Sequence, residues 1–236
     1  MKKWENSVIE VIGPSGAGKT TFANRHLGAS CGARSILHQP ATISLMETHD
    51  WELRRDSPLF RNSYMHIWEA KERNEAKSSW PKSVLGERLK WYWEVMTLDA
   101  FLRQHHFPEY VFLLDDTLVT AFFPELTSLP LGGEEGFLQH MEGRKIINVT
   151  ATKNAIVRRQ LEREKAGEPV PSFQGQDAEF IRKWAQSTIR RRKNFQSFEA
   201  KSGLTSIEWV DVRGRWGLRR ADQLVASECR RNNASK

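Results

Sequence analysis

Short apolar runs alternate with longer amphipathic stretches along the 236 residues of the chain. A brief apolar run bounded by turn residues is typical of a buried parallel strand, whereas apolar side chains spaced three and four residues apart are typical of a helix. The pattern predicts five strands, at residues 8–12, 35–38, 110–114, 145–149 and 207–210. Because helical stretches separate these strands, we expect an α/β fold with a mostly parallel sheet.

Helical spacing is clearest at Leu85, Leu89, Tyr92 and Met96, which form the apolar face of a helix that we expect to pack on the sheet. Prolines divide the charged region 42–103 into several helices, and we expect its many tryptophans to pack in the core rather than to stack on a ligand. Other helices are predicted at residues 20–27, 151–165, 177–200 and 218–229, with a loop at 124–136.

The first predicted strand leads into a glycine-rich turn, and the segment from Gly13 to Thr20 matches the P-loop pattern G-x-x-x-x-G-K-[ST] at each fixed position. In a P-loop, backbone N–H groups turn inward and hold phosphate oxygens. We expect Gly13, Gly16 and Gly18 to adopt backbone angles that a side chain would forbid. Lys19 is expected to contact the β and γ phosphates of ATP, and the Thr20 hydroxyl to bind Mg²⁺. The predicted cofactor-binding residues are Gly13, Pro14, Ser15, Gly16, Ala17, Gly18, Lys19, Thr20 and Thr21.

Two acidic residues, Asp115 and Asp116, end the third predicted strand. Ligands of open parallel sheets bind beyond the carboxyl ends of the strands, so these acids are expected beside the glycine-rich turn if the first and third strands are neighbours. One carboxylate would help to hold Mg²⁺, with Asp115 predicted as a metal ligand beside Thr20, and the other would accept a proton from the acceptor. The residue types leave open which aspartate is the base. The alternative is that the pair only caps the helix that begins near Leu118.

Arginines cluster before a second stretch rich in glycine and proline, at residues 164–176. This composition is typical of a mobile lid, which excludes water and brings cations over a phosphoryl group. We therefore predict that Arg159 and Arg163 are catalytic. The cationic run from Arg190 to Lys193 is more typical of a solvated helix face.

Charge is unevenly distributed in this chain of net charge +7. Residues 144–236 hold 21 lysines and arginines against 10 acidic residues, and the first 143 residues hold 15 against 19. A basic half could face a nucleic acid, although no recognition motif for one is present. The sequence lacks an apolar run long enough to be a signal peptide or a membrane span, and Cys31 and Cys229 lack metal-ligand spacing, so a cytoplasmic location is expected.

The order of these features resembles the thymidylate-kinase-like branch of the nucleoside monophosphate kinase superfamily. The specific part is the P-loop, and residues 148–163 look like that branch's strand followed by its lid-proximal arginines. The resemblance implies a three-layer P-loop NTPase fold with a five-stranded sheet of order 2-3-1-4-5 and a helical lid. It implies one kinase domain, residues 1–236, with a helical acceptor-site region at 38–105 and a lid at 158–177.

The resemblance also implies roles for individual residues. Lys19 and Thr20 would handle phosphates and magnesium, and Asp115 or Asp116 would be the catalytic carboxylate. Arg159 and Arg163 would contact the phosphates of the bound nucleotide.

These features predict an enzyme that uses ATP and Mg²⁺ to phosphorylate a small acceptor such as a nucleotide, a nucleoside or a sugar. Four arginines of the acceptor-site region are candidates for holding an anionic group: Arg54, Arg55, Arg61 and Arg88. Two alternatives stay open, namely an ATPase or nucleotide switch that acts on a macromolecular partner, and a kinase of nucleic-acid ends. The sequence identifies neither the acceptor nor the oligomeric state, and a homodimer is possible.

Overall fold

A six-stranded sheet forms the centre of the fold. This computed structural model describes residues 6–26, 30–31, 34–78, 82–128, 140–141, 143–168, 173, 175–201, 208–212 and 214–230. The strands are β1 (Ser7–Ile12), β2 (Ser30–Cys31), β3 (Arg34–His38), β4 (Tyr110–Asp115), β5 (Arg144–Val149) and β6 (Glu208–Val212). Their order in the sheet is β2-β3-β4-β1-β5-β6.

The five longer strands are parallel and, counted without β2, follow the order 2-3-1-4-5, which confirms the predicted sheet. The two-residue strand β2 was not predicted. It pairs antiparallel with β3 at the edge of the sheet. Two residues are too few to produce a recognisable hydrophobic pattern, because alternation needs about four residues before it stands out.

Helices connect the strands and cover both faces of the sheet. The helices are α1 (Lys19–Asn24), α2 (Gln39–Thr48), α3 (Met65–Ala76), α4 (Lys82–Gln104), α5 (Leu118–Ser128), α6 (Lys153–Lys165), α7 (Ala178–Lys201) and α8 (Gly214–Arg230), with a π-helical turn (Phe60–Tyr64) before α3. Among the described helices, none combines the length and the apolarity needed to cross a membrane.

Three predicted helix boundaries are wrong. Helix α1 ends at Asn24 rather than at residue 27. Helix α5 continues through Pro124 to residue 128, where a loop was predicted, because the chain kinks at Phe122 (φ −114°, ψ 20°) and so accommodates the proline ring. Helix α8 begins at Gly214, which has φ 60°, rather than at residue 218.

Each face of the sheet has its own apolar layer. On one face, Phe22 of α1 and Leu224 of α8 pack against Ile9 and Val11 of β1. On the other face, helices α3, α4 and α5 pack against Ile12 and Ile146. The predicted stripe of α4 lies in this second layer, where Tyr92 and Met96 are buried. Trp68 is also buried there, which confirms core packing for that tryptophan, whereas Trp80 lies outside the described residues.

Glu10, in the middle of β1, is completely buried and links three elements. Its Oε1 accepts hydrogen bonds from the backbone N–H groups of Val119 and Thr120 at the start of α5, at 2.9 and 3.3 Å. Its Oε2 accepts a hydrogen bond from Arg144 Nη1 at 3.1 Å, and Arg144 also pairs with Asp99 of α4. The negative charge of the Glu10 carboxylate is therefore compensated at one oxygen by the N–H groups of α5 and at the other by the Arg144 guanidinium.

Asn6, just before β1, ties that strand to the connection between α4 and β4. Its side-chain amide donates hydrogen bonds to the carbonyl oxygens of Leu102 and His105, and its Oδ1 accepts one from the N–H group of Phe107 at 2.8 Å. Asn6 is buried, so these bonds are shielded from water. The amino end of β1 is thereby held in register with the amino end of β4.

Candidate functional site

The glycine-rich loop (residues 13–20) follows β1 at the carboxyl edge of the sheet. The Ala17 N–H group donates a hydrogen bond to the carbonyl oxygen of Pro14 at 2.9 Å, which closes the turn. Gly16 and Gly18 have positive φ angles of 82° and 105°, as the sequence predicts. Gly13 differs, because it has no positive φ and a Cβ there would lie 2.5 Å from the carbonyl oxygen of Val149. The expectation of a special backbone angle at Gly13 is therefore wrong, and close packing against β5 is the physical reason for this glycine.

Lys19 lies at the start of α1 with only 7% of its surface exposed. Its ammonium group donates a hydrogen bond to the carbonyl oxygen of Gly13 at 3.0 Å and forms an ion pair with Asp116 Oδ2 at 2.8 Å. The lysine therefore joins the glycine-rich loop to the end of β4. A buried ammonium needs such partners, since an unpaired charge is costly away from water.

Asp115 and Asp116 lie beside this lysine because β4 pairs directly with β1. Val11 is the register partner of Asp115, and the Asp116 N–H group donates to the carbonyl oxygen of Val11 at 3.3 Å. Asp116 adopts φ 51°, a left-handed conformation that is uncommon outside glycine and is best tolerated by asparagine and aspartate. The structure therefore brings the predicted acidic pair and the predicted lysine together.

Thr20 lies close to the other aspartate, with its Oγ1 donating to Asp115 Oδ2 at 3.4 Å. The Oδ1 atoms of Asp115 and Asp116 are both buried and have no hydrogen-bond partner among the described residues. Burial and the charge of Asp116 raise the pKa of Asp115 to about 6, although Lys19 and Thr20 act in the opposite direction. Carboxylate oxygens without a hydrogen-bond partner can act as ligands of a hard cation such as Mg²⁺.

The alternative role of the aspartates as caps of α5 is wrong. The carboxylate that accepts from the first N–H groups of α5 belongs to Glu10, which reaches them from β1. The sequence predicts Glu10 only as part of an apolar strand, because a position in a strand does not show which distant group the side chain contacts. With that helix end satisfied by Glu10, the two aspartates are available for another task.

Helix α6 brings two side chains to the glycine-rich loop. Arg159 Nη1 donates hydrogen bonds to the carbonyl oxygens of Gly16 and Ala17, at 2.8 and 3.0 Å. Gln160 Nε2 donates to Ser15 Oγ at 3.1 Å, a contact that the sequence did not predict. The side chain of Arg163 is exposed and makes no hydrogen bond or ion pair with the described residues, so the structure does not bring it to the loop. Of the predicted lid, residues 169–172 and 174 lie outside the described part of the chain.

Arg192 corrects the interpretation of the cationic run on α7 as a solvated face. Its side chain is only 9% exposed, whereas Arg190 and Lys193 are exposed. Burial lowers the pKa of Arg192 to about 10, and the charges of Asp116, Glu10 and Asp115 act in the opposite direction. No hydrophobic pattern marks this position, because an inward arginine in a run of cations looks like its neighbours.

A cavity of about 550 Å³ opens beside the acidic pair, between α1 and α2. Its polar wall includes residues that were not singled out: Asn24, His38 and Gln39. Gln39 Oε1 accepts a hydrogen bond from the Asp115 N–H group at 3.2 Å, which fixes the end of β4. The rule that placed the aspartates at the carboxyl edge would also have identified His38 and Gln39, since they follow the neighbouring strand β3.

The four arginines proposed as anion holders are engaged elsewhere. Arg54 pairs with Asp56, Arg55 with Glu72, and Arg88 with Glu75, at 3.1, 3.5 and 2.8 Å. Arg61 donates to the carbonyl oxygen of Asp56. None of the four is among the described residues that line the cavity beside the acidic pair.

The site thus combines a glycine-rich loop, a buried lysine, a threonine hydroxyl and two carboxylates with unsatisfied oxygens. This arrangement can hold an anion against a cation and offers oxygen ligands to a metal. No protein-family model matches the chain, and a search of curated proteins finds none that is similar in sequence, so the function has to be inferred from this geometry.

Proposed function

We propose that the protein is a kinase that transfers a phosphoryl group from Mg²⁺-bound ATP to a hydroxyl or phosphate group of a small acceptor. The observation that carries the proposal is the ion pair between Lys19 Nζ and Asp116 Oδ2 at 2.8 Å, with Thr20 and Asp115 alongside. Phosphoryl transfer needs positive charge on the phosphates and a carboxylate near the attacking group. A lysine after a glycine-rich loop, beside two aspartates at the end of the neighbouring strand, can supply both. In this proposal the glycine-rich loop is a P-loop.

The P-loop would bind the phosphate chain through its backbone. Residues 13–20 would direct their N–H groups to the phosphate oxygens, and Lys19 would neutralise the β and γ phosphates. Arg159 supports this role by holding the carbonyl oxygens of Gly16 and Ala17, which keeps those oxygens away from the anion. The arginine would therefore act first as a positioning residue for the loop.

Thr20 and Asp115 fit a magnesium site. Mg²⁺ prefers oxygen ligands and keeps several waters, so one hydroxyl and one carboxylate are enough protein ligands when phosphates supply the rest. The buried, unsatisfied Oδ1 of Asp115 is the observation that supports this fit. When bound, the ion would neutralise the phosphate oxygens and so lower the barrier to transfer.

Asp116 would serve as the base of the proposed kinase. Its Oδ1 has no partner among the described residues, and its Oδ2 lies against the lysine that would contact the γ phosphate. A carboxylate at that place can take the proton from an acceptor hydroxyl as the hydroxyl attacks. The cavity beside the acidic pair, with His38, Gln39 and Asn24 in its wall, would receive that acceptor.

A screen for ADP release tests the proposal. The purified protein is incubated with ATP and Mg²⁺ and with panels of nucleosides, nucleotides and sugars, and we expect one class to stimulate ADP release. Lys19→Met should abolish that stimulation, whereas Lys183→Met, which removes an exposed lysine on α7 paired with Glu179, should leave it unchanged. Stimulation that survives in the Lys19→Met protein would contradict the proposal.

Salt dependence separates this proposal from the nucleic-acid alternative. A kinase of nucleic-acid ends would bind oligonucleotides with an affinity that falls steeply as salt rises, since counterions are released from the phosphate backbone. Turnover of a small acceptor changes much less with salt. An ATPase or switch would show ATP hydrolysis that responds to a macromolecule and to none of the small acceptors.

A further inference from the structure

Arg192, in the cationic run on α7, faces inward. Only 9% of its surface is exposed, whereas Arg190, two residues earlier, is exposed. Arginine is among the residues least often buried without a partner, so this placement needs a physical explanation. The charges of Asp116, Glu10 and Asp115 favour the cation there, and yet the described residues offer none of these carboxylates to it within ion-pair distance.

One nitrogen of this guanidinium is unsatisfied. Arg192 Nη1 is buried and has no hydrogen-bond partner among the described residues. A buried donor left without an acceptor costs about 1–3 kcal/mol, and a charged donor costs more. The same atom would be satisfied by an anionic ligand, because the planar guanidinium fork matches the oxygens of a phosphate.

The space in front of Arg192 is a second cavity, of about 490 Å³, which opens at the glycine-rich loop. Pro14, the second residue of the loop, forms part of its wall together with Asn148, Asp211 and Lys193. Asn148 Nδ2 donates a hydrogen bond to Asp211 Oδ1 at 2.7 Å and so joins the ends of β5 and β6 in this wall. Arg192 and the start of the glycine-rich loop therefore border one space, and the charges of Asp115 and Asp116, which line the other cavity, act on the same guanidinium.

We infer that Arg192 binds the terminal phosphoryl group of a nucleoside triphosphate held by the loop. The inference rests on the proposed function and adds to it a residue that contacts the group being transferred. In the transfer, the acceptor oxygen forms a bond to the γ phosphorus while the bond from that phosphorus to the β–γ bridging oxygen breaks. The bridging oxygen keeps the electron pair and leaves as part of ADP, and, where the acceptor is a hydroxyl, its proton passes to Asp116. Arg192 stabilises the negative charge on the phosphoryl oxygens during this step.

Equilibrium binding of two nucleotides tests the inference. The full chain is titrated calorimetrically with Mg²⁺-bound AMP-PNP, a triphosphate analogue that resists transfer, and separately with Mg²⁺-bound ADP. We expect Arg192→Met to weaken AMP-PNP binding by about 10- to 100-fold, the loss expected for one charge-assisted hydrogen bond, and to leave ADP binding nearly unchanged. Arg190→Met is the matched control and should bind both nucleotides as the unaltered protein does. Arg192→Gln carries the same test if the methionine variant does not fold.

Three results would overturn the inference. An equal loss for both nucleotides would mean that Arg192 shapes the loop without contacting the terminal phosphoryl group. Unchanged binding of AMP-PNP would mean that its guanidinium faces no phosphate. If the unaltered protein binds neither nucleotide, the proposed function itself fails, and this result is distinct from the first two because it does not depend on Arg192.

Discussion

A methyl group on Gly13 would lie 2.5 Å from the carbonyl oxygen of Val149, a distance that no Cβ atom tolerates. The start of the glycine-rich loop is therefore pressed against the end of β5. We expect Gly13→Ala to displace the loop, to lower the free energy of unfolding by about 1–3 kcal/mol as other overpacked sites do, and to abolish nucleotide binding. Urea unfolding and nucleotide titration measure the two effects.

Gly86, in the second turn of α4, is the matched control for that substitution. A Cβ there would meet no atom within 4 Å, and the helical backbone suits alanine. Gly86→Ala should therefore stabilise the protein by up to about 1 kcal/mol and leave nucleotide binding unchanged. If Gly13→Ala and Gly86→Ala had the same effect on the free energy of unfolding and on nucleotide binding, the result would contradict the close approach of the loop to β5.

Asp116→Asn should show whether turnover needs the negative charge of this side chain or only its left-handed backbone conformation at the end of β4. Asparagine accepts the left-handed angle of φ 51°, so we expect normal folding, whereas the loss of the carboxylate should reduce turnover by about 100-fold or more. Asp50, an exposed residue with φ 47°, provides the control, because Asp50→Asn changes charge at the same backbone angle away from the site. Full activity of Asp116→Asn in the ADP-release assay would exclude this carboxylate as the base.

Stability should depend on pH through Asp115. Its pKa is raised from 3.8 to about 6 by burial and by Asp116, so between these values the folded chain holds a proton that the unfolded chain has lost. The contribution of this group therefore favours folding at low pH and is lost as pH rises toward 6 and above. We expect Asp115→Asn to melt a few degrees higher than the unaltered protein at pH 8, in the absence of Mg²⁺, and the difference to shrink at pH 4.5. A difference that grows on acidification would show that the carboxylate is stabilised, rather than penalised, by the fold.

Removing the Arg144 side chain should lower the stability of the fold at the centre of the sheet. Its guanidinium is the partner of Glu10 and of Asp99, and all three side chains are buried. We expect Arg144→Met to lower the free energy of unfolding by about 3–5 kcal/mol, because it leaves buried carboxylates without compensation. Adding Glu10→Gln should recover part of the loss. Arg158→Met, which removes an exposed pair with Glu162, should cost less than about 0.5 kcal/mol in the same urea titration.

The positions of the five strands and the placement of Lys19 and the acidic pair at one edge of the sheet could be predicted because both follow from general rules. Apolar runs located the five parallel strands, and parallel strands place their carboxyl ends at one edge of a sheet. The order 2-3-1-4-5, by contrast, came from a family resemblance, since hydrophobic pattern does not state which strands are neighbours. The structure has that order.

Side-chain direction could not be predicted in the same way. Glu10 lies in a strand that reads as apolar, and only the fold shows that its carboxylate caps α5. Arg192 lies in a cationic run in which Arg190 and Lys193 are exposed, and the sequence alone does not show that Arg192 turns inward. Gln160 has no counterpart in the motif, and its contact with Ser15 depends on how α6 crosses the loop. In each case the missing information is a contact between distant parts of the chain.

Asn6 lies at the far end of the sheet from Lys19, and yet it holds together the two strands whose opposite ends carry the lysine and the aspartates. Because β1 and β4 pair along their whole length, a small shift of one strand against the other at Asn6 changes their register as far as the carboxyl ends. Loss of the Asn6 side chain would therefore disturb the spacing between Lys19 and the two aspartates while the chain still folds, and an inactivating substitution there would resemble the loss of a residue of the proposed site itself.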